Sequence, residues 1–206
     1  MAARRRLVLA TGNAGKQREL AALLAPLGYE LLRQTELGVE SVEESGTTFE
    51  ANALLKARHA AAATGLPALA DDSGLEVDAL GGRPGVWSAR YAGPDASDAD
   101  NVAKLLAELA PWPAPEARRA RYRCVIACVT GPDDPAPLVA AGHWDGHIAN
   151  APAGTGGFGY DPLFVPDGEG RSVAQMPDDA KNAVSHRGRA LAELLARLSA
   201  MLPPAT

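Results

Sequence analysis

Apolar residues recur along the chain in two patterns: short continuous runs, typical of buried strands, and leucines at helical spacing. A run at residues 7–10 predicts a strand, and residues 30–33 predict a second one. The helix expected between these strands is marked by leucines on one face: Leu20, Leu23, Leu24 and Leu27. The chain therefore opens with a strand, helix, strand unit.

A second helix is marked by its two ends. Thr47 and Glu50 match the Thr-x-x-Glu capping box, and Gly65 supplies the residue that favours a left-handed helix end. Residues 71–74, which follow, have the sequence Asp-Asp-Ser-Gly and are all turn formers. They predict a turn between two short strands, the second of which covers residues 75–80.

The second half of the chain predicts two further helices and a hairpin. Residues 97–110 carry an apolar helical face, and residues 120–130 and 138–148 are β-rich stretches joined by turn residues. A last helix begins near Asp178 or Asp179 and continues to Pro203. Helices that interleave with strands, together with the hairpin, predict an α/β fold with a mixed sheet.

Composition places the protein among ordinary globular chains and argues against nucleic acid as a partner. Its 206 residues are 47% hydrophobic and 22% charged, which suits a single domain over residues 1–206. The formal net charge is −5, whereas nucleic-acid binding needs a basic surface. A polyanionic ligand on such a protein needs a divalent metal and a few well-placed lysines or arginines.

Two observations favour the cytoplasm over a membrane or an exported protein. No apolar stretch approaches the roughly 20 residues that a membrane span requires, and the run after the basic N-terminus stops early. Cys124 and Cys128 lie on one predicted strand, roughly 13 Å apart, which is too far for a disulfide. We expect buried thiols in a reducing compartment, and we interpret His143 and His147 as structural.

The first loop, residues 11–16, joins the first strand to the first helix and has the sequence Thr-Gly-Asn-Ala-Gly-Lys. Backbone N–H groups at a helix N-terminus favour an anion, and Lys16 adds a full positive charge. The spacing is too short for GxxxxGK[ST], and Gln17 replaces the hydroxyl residue of that motif. A phosphate-binding loop and an ordinary tight turn are both open from this segment alone.

Two acidic pairs are candidates for chemistry: Glu43-Glu44 before the second helix and Asp71-Asp72 after a strand. Adjacent carboxylates repel each other and suit a cation, so each pair is a candidate for Mg²⁺. A solvated edge for the first pair and a simple turn for the second are the alternatives.

Aromatic and basic residues lie in two later segments. Residues 154–162 surround Phe158 with glycines, which suits either stacking on a flat base or a structural Ω-loop. Residues 181–187 place basic groups on a helix, which suits base oxygens and phosphates or a solvated face. Carboxylates for a metal, cations for phosphates and an aromatic ring for a base together describe a nucleotide phosphoryl-transfer site.

Five blocks, in order over nearly the whole chain, resemble the XTP/dITP diphosphatase family of noncanonical purine nucleoside triphosphate pyrophosphatases. The blocks are TGNAGK, EESGTTFEANALLKA, ADDSGLEVDALGGRPGVWSARYAG, GGFGYDPLF and KNAVSHRG. The resemblance implies an elongated α/β protein with a long mixed sheet flanked by helices, two lobes with a substrate cleft between them, and a homodimer. It also implies Mg²⁺-dependent hydrolysis of ITP, dITP and XTP to the monophosphate and pyrophosphate.

The same resemblance implies roles for individual residues. Asp72 is expected to be the catalytic base that activates water, and Glu44 and Asp72 are expected to bind Mg²⁺. The residues expected to bind the triphosphate are Thr11, Gly12, Asn13, Ala14, Gly15 and Lys16. The residues expected to contact the rest of the substrate are Ser73, Phe158, Gly159, Tyr160, Asp161, Lys181, His186 and Arg187, of which the last three face the purine 6-oxo edge.

Several assignments stay open at this point. Glu43 is the alternative metal ligand to its neighbour, and Asp71 is a candidate to support Asp72 rather than to act itself. Asn52 and Lys56, one helical turn apart, are further candidates for the site. A pyrimidine triphosphate pyrophosphatase and a nucleotide-binding sensor without catalysis are the alternative functions.

Overall fold

The computed structural model describes residues 5–25 and 28–201, with side chains described as far as residue 197. The strands in this part of the chain are Arg5–Leu9 (β1), Tyr29–Arg33 (β2), Ala68–Val77 (β3), Arg119–Val129 (β4), Leu138–Ile148 (β5) and Phe164–Pro166 (β6). The α-helices are Ala14–Leu24 (α1), Phe49–Thr64 (α2), Asp98–Glu108 (α3), Asp178–Val184 (α4) and His186–Met201 (α5). None of these helices is long and apolar enough to cross a membrane.

The six strands form one mixed sheet in the order β2-β1-β3-β4-β5-β6. β1 pairs in parallel with β2 and with β3, whereas β5 and β6 pair antiparallel. The first strand, helix, strand unit places β1 beside β2, and the predicted hairpin strands β4 and β5 are also neighbours. The prediction of an α/β fold with a mixed sheet and flanking helices is therefore confirmed.

By its internal contacts the chain divides into two compact units. The first unit comprises residues 1–72, 124–142 and 188–206, and the second comprises residues 73–123 and 143–187. The core of the first unit includes Leu7, Leu20, Leu69, Ile126 and Leu191. The core of the second includes Leu75, Leu105, Trp144, Ile148 and Phe164. The prediction of a single domain over the whole chain stays a prediction.

Residues 71–74 do not form the predicted turn, because they lie inside the continuous strand β3. Asp71 and Asp72 are both buried there, and each is paired with a lysine. Neutralisation of this kind lets a strand retain carboxylates that would otherwise be too costly to bury. The predicted strand over residues 75–80 is also shortened, because its last three residues form a 3₁₀ turn.

The predicted capping box of α2 is wrong by one residue. Thr48, in extended conformation, is the N-cap, and its hydroxyl accepts a hydrogen bond from Ala51 N at 3.1 Å. The third helical position is thus alanine, so no carboxylate returns the hydrogen bond, and the first helical residue, Phe49, is buried. The other end matches the prediction, since Gly65 closes the helix in the left-handed conformation.

The single helix predicted from Asp178 onward is also wrong. Ser185 has extended dihedral angles, φ −68° and ψ 161°, and separates α4 from α5. A serine immediately before the first residue of a helix occupies the position where its residue type is favoured as a cap. Of the predicted helical residues, Leu27 and Pro203 lie outside the described residues.

Candidate active site

Lys56, on α2, is the centre of an acidic cluster in the first unit. Its ammonium group donates to Glu44 Oε1 at 2.6 Å and to Asp72 Oδ1 at 3.0 Å. Glu44 comes from the loop before α2, and Asp72 comes from β3. Two carboxylates from separate segments therefore converge on one cation, whereas Glu43 is exposed to solvent.

Asn52, one turn before Lys56 on the same helix, is 0% exposed and uses both ends of its amide. Its Nδ2 donates to Asp72 Oδ2 at 3.2 Å, and its Oδ1 accepts from Gly46 N at 2.8 Å. A Cβ at Gly46 would lie 2.5 Å from Asn52 Oδ1, so only glycine fits this approach. The amide thus fixes the second oxygen of Asp72 and the end of the acidic loop together.

Lys16 and Asp71 form the other ion pair of this cluster. The Lys16 Nζ to Asp71 Oδ2 distance is 3.2 Å, and the Asp71 side chain is fully buried. The lysine of the first loop is thus paired with β3 in this structure. Asp71 supports the cluster through Lys16, while Asp72 is the acid that faces Lys56.

The first loop is held by its own side chains. Thr11 Oγ1 accepts from Asn13 N at 3.2 Å, and Asn13 Oδ1 caps α1 by accepting from Lys16 N at 3.0 Å. Gln17 Nε2 donates to Thr11 O at 2.7 Å. Of the remaining loop residues, Gly12 and Ala14 are exposed, and Gly15 is buried in the first turn of α1.

The acidic cluster carries a net negative charge, because three carboxylates face two ammonium groups. Burial raises the pKa of Asp72 above its ordinary value, and the nearby Lys56 and Lys16 oppose this effect without cancelling it. Burial lowers the pKa of Lys56, but Asp72 and the other carboxylates outweigh it and raise that pKa overall. Lys56 is therefore protonated at neutral pH.

The donor set of the acidic cluster fits a hard divalent cation. Mg²⁺ binds carboxylate oxygens and commonly takes one or two from a protein, with substrate phosphates as further ligands. Glu44 and Asp72 supply two such oxygens close to each other, since both lie within hydrogen-bond distance of Lys56 Nζ. In the described part of the chain, no group of three or more His, Cys, Asp or Glu side chains is arranged around a metal position.

Asp161 is the centre of a second cluster, which lies in the second unit. Its Oδ2 accepts from Lys181 Nζ at 2.7 Å and from Phe158 N at 3.0 Å, while its Oδ1 accepts from Tyr122 Oη at 3.2 Å. A Cβ at Gly157, which has a φ of +72°, would lie 2.0 Å from Asp161 Oδ2. Glycine at this position allows the carboxylate to approach the backbone.

Two cations lie near the ring of Phe158. Lys181 Nζ is 4.8 Å from the ring centroid, and Arg187 Cζ is 5.8 Å from it. Arg187 is 1% exposed, and its Nη2 donates to Ser73 Oγ at 2.8 Å. The structure thus brings together Ser73, Phe158 and two cationic groups. The family resemblance implies that all of these residues contact the substrate.

His186 belongs to the same cluster through its ring. The imidazole stacks on Tyr122 with centroids 4.6 Å apart and planes 10° from parallel. Because His186 is the first residue of α5, the break at Ser185 sets its position. This cluster has a net positive charge even with a neutral imidazole, because two cations, Lys181 and Arg187, accompany one carboxylate, Asp161.

Two predicted substrate residues anchor the loop instead of joining these contacts. Gly159 N donates to Asp98 Oδ2 at 2.7 Å, and Tyr160 Oη donates to Ser88 O at 2.9 Å. The Tyr160 ring is part of the hydrophobic core of the second unit.

Sequence reasoning missed Tyr122. Residues 119–124 alternate between exposed and buried, which places Tyr122 on the inward face of β4 with Ala120 and Cys124. A phenol on an inward face needs a polar partner, and this alternation was the available signal.

The chain belongs to the Ham1 family, whose sequence profile matches residues 7–197. It is similar to a protein named dITP/XTP pyrophosphatase from Yersinia pseudotuberculosis, with 58% identity over 190 residues, 92% of this chain and 96% of that protein. A protein of the same name from Shigella flexneri is 57% identical over 190 residues, with the same coverage. The structure of a HAM1 protein from Coxiella burnetii has a TM-score of 0.87 and 47% identity, covering 95% of this chain and 99% of that chain. The resemblance stated from the sequence motifs is therefore confirmed.

Proposed function

We propose that this protein hydrolyses noncanonical purine nucleoside triphosphates, namely ITP, dITP and XTP, to the nucleoside monophosphate and pyrophosphate. The observation that carries the proposal is the convergence of Glu44 and Asp72 on Lys56, in a chain of the Ham1 family. The relatives named dITP/XTP pyrophosphatase support the substrate class. Release of pyrophosphate requires that water cleaves the anhydride bond between the α- and β-phosphates, and we assign the attack to the α-phosphorus.

The first unit binds the phosphates and the metal in this proposal. Residues 11–16 contact the triphosphate, with Lys16 as their full positive charge. Glu44 and Asp72 hold Mg²⁺, which when bound supplies charge neutralisation for the phosphates. The carboxylates of this cluster exceed its lysines by one, which favours a cation there.

Asp72 orients the attacking water and accepts its proton. Burial raises the pKa of this carboxyl, which makes it a stronger proton acceptor while it remains ionised beside Lys56. Asn52 and Lys56 each hold one of its two oxygens, so the carboxylate plane is fixed before the substrate binds.

The second unit recognises the base. Phe158 stacks on the purine, while Lys181, His186 and Arg187 present N–H donors to the 6-oxo group. Adenine carries an amino group at this position, so donors would face donors and the fixed groups would lose their partners. Guanine keeps the oxo group, and we assign the rejection of GTP to poor accommodation of its exocyclic amino group. Unpaired polar groups in a site of this kind give strong discrimination.

We further propose that the protein acts in the cytoplasm as a homodimer. Its two cysteines are unbridged and buried, which suits a reducing compartment. The dimer rests on the family resemblance, and sedimentation at several protein concentrations tests it. A single species with the mass of one chain would overturn it.

The experiment is a substrate panel of ITP, dITP, XTP, ATP, GTP, dTTP and UTP with Mg²⁺, in which pyrophosphate and orthophosphate are separated as products. We expect turnover of the first three with pyrophosphate as the initial product, and loss of turnover with excess EDTA. Orthophosphate as the initial product would refute attack at the α-phosphorus. Preference for dTTP and UTP would indicate a pyrimidine enzyme, and tight ITP binding without turnover would indicate a sensor.

A further inference from the structure

We propose that Tyr122 is a positioning residue that sets base selectivity by holding Asp161 and His186 in place. The inference rests on the proposed function, because it concerns the residues that are assigned there to the base. Tyr122 lies on β4, buried in the second unit, and it joins two groups that are distant from each other in sequence.

The first contact is a hydrogen bond that completes Asp161. The phenol donates to Oδ1, which leaves Oδ2 for Lys181 Nζ and Phe158 N. Donors to both carboxylate oxygens fix the plane of the group. Loss of the phenol removes the contact to Oδ1, so the plane of the carboxylate is less constrained and the direction of Lys181 is less defined.

The second contact is the stack on His186. The two rings are 10° from parallel with centroids 4.6 Å apart, so the plane of the imidazole follows the plane of the phenol. Tyr122 is itself held by Phe164, whose ring lies at 59° with its centroid 4.7 Å away. A ring fixed by the core therefore determines where the imidazole N–H groups point.

These contacts act on selectivity more than on chemistry. The hydrogen bond to Asp161 Oδ2 orients the ammonium group of Lys181, and N–H groups held in a set direction suit an oxo group and not an amine. Once Asp161 rotates, Lys181 can turn toward other acceptors of a canonical purine, such as a ring nitrogen. The purine oxo group then loses its advantage over the amino group.

The test is the Tyr122→Phe variant, which keeps the ring stack and removes only the hydroxyl. A hydrogen bond to a charged group is worth enough that its loss lowers the ratio of kcat/KM for ITP to kcat/KM for ATP about tenfold. We expect Tyr122→Phe to raise KM for ITP and to change kcat little. Tyr122→Leu also removes the stack and lowers the ratio further.

A matched control is Tyr91→Phe, which removes another tyrosine hydroxyl from a carboxylate in the same unit, where Tyr91 Oη donates to Glu108 at 2.6 Å. It leaves the ITP to ATP ratio unchanged. Coupling is measured in an Asp161→Ala background, where Tyr122→Phe has little further effect because its acceptor is absent.

An unchanged ratio in Tyr122→Phe, or an equal fall in kcat/KM for ITP and ATP, would overturn the proposal. If Tyr122→Leu does not fold, Tyr122→Phe carries the test, with a melting temperature recorded for each variant. Equilibrium binding of IMP and AMP without metal gives a second readout that does not depend on turnover. An enzyme that prefers other nucleotides in the substrate panel would instead refute the proposed function itself.

Discussion

Both units of the protein contain a lysine paired with a buried aspartate, and the pair at the centre of each cluster has a different third partner. Lys56 lies 3.0 Å from Asp72, and Lys181 lies 2.7 Å from Asp161. Beside the first pair is a second carboxylate, Glu44, whereas a ring and a guanidinium lie beside the second.

The difference shows how the same lysine and aspartate pair can serve two chemical purposes. The excess carboxylate of the first unit favours a cation, which a triphosphate needs in order to approach acids. The excess cations of the second unit favour a neutral oxygen acceptor such as a purine oxo group. The comparison predicts that changes in the first unit alter turnover of all nucleotides, and that changes in the second alter selectivity among them.

The largest effect is expected from Asp72→Asn. This change keeps the shape of the side chain but removes the proposed proton acceptor and metal ligand, so we expect kcat to fall by about 10³-fold or more. The measurement is the initial rate of pyrophosphate release from ITP, with the melting temperature as a check on folding. A rate near that of the native protein would remove Asp72 from its assigned role.

The next effect is expected from Lys181→Ala. It leaves Asp161 buried without its ammonium partner, at a cost of about 3–5 kcal/mol in the free energy of unfolding, and it raises KM for ITP. We expect Arg187→Ala, which removes the other cation assigned to the base in the proposal, to raise KM for ITP as well. Unchanged ITP affinity in both variants would contradict the base assignment.

A double variant separates stability from recognition in that prediction. Asp161→Ala with Lys181→Ala removes both charges, so it regains part of the stability that Lys181→Ala alone loses. The preference for ITP is not regained, because the donor is still absent. Urea unfolding and the ITP to ATP ratio measure the two properties independently.

A smaller effect is expected from Asn52→Ala. Loss of the amide frees one oxygen of Asp72 and the backbone N–H of Gly46, and we expect kcat to fall about tenfold for ITP and ATP alike. Steady-state kinetics with both nucleotides measures this. A selective fall for one nucleotide would break the proposed division between the units.

The smallest effect is expected from Asp134→Ala, which tests a carboxylate outside both clusters. Hydrogen bonds from Thr130 N and other donors in the β4 to β5 turn hold the pKa of Asp134 below its ordinary value. The variant loses about 1–2 kcal/mol of stability at neutral pH and keeps its activity.

The pH dependence of that loss follows from the direction of the pKa shift. A pKa that is lower in the folded state stabilises the protein above the unfolded value of about 3.9, and this stabilisation disappears as pH falls through the folded value. The difference between the native protein and Asp134→Ala should therefore narrow in acid. Urea unfolding at neutral pH and near pH 3 checks it, and a difference that widens in acid would contradict it.

The order of most elements and many of their bounds were accessible from the sequence, because periodicity and helix-ending signals are local, but the short strand β6 was not predicted. Gly65 and Ser97, for example, mark helix ends by their own conformational preferences. The errors at residues 71–74 and at Ser185 have different causes. At residues 71–74 the ion pairs of two buried aspartates, Asp71 and Asp72, outweigh the local preference for a turn. At Ser185 the capping preference of serine is itself a local signal, and the apolar helical pattern on either side outweighed it in the sequence prediction.

The candidate site was predicted by residue type but not by pairing. The sequence indicates that Lys16 suits an anion, yet only the fold places Asp71 against it. From the sequence, Lys56 is one of several candidates for the site, and only the structure shows that two carboxylates contact it. Tyr122 carries no motif at all, because its role depends on partners from two distant segments.

The division between the units is tested most directly by comparing Lys56→Ala with Lys181→Ala. The quantity to measure is the ratio of kcat/KM for ITP to kcat/KM for ATP, in the presence of Mg²⁺. We expect Lys56→Ala to lower both values in parallel and leave the ratio unchanged, and Lys181→Ala to collapse the ratio. A ratio that changes in Lys56→Ala, or that survives in Lys181→Ala, would contradict the account.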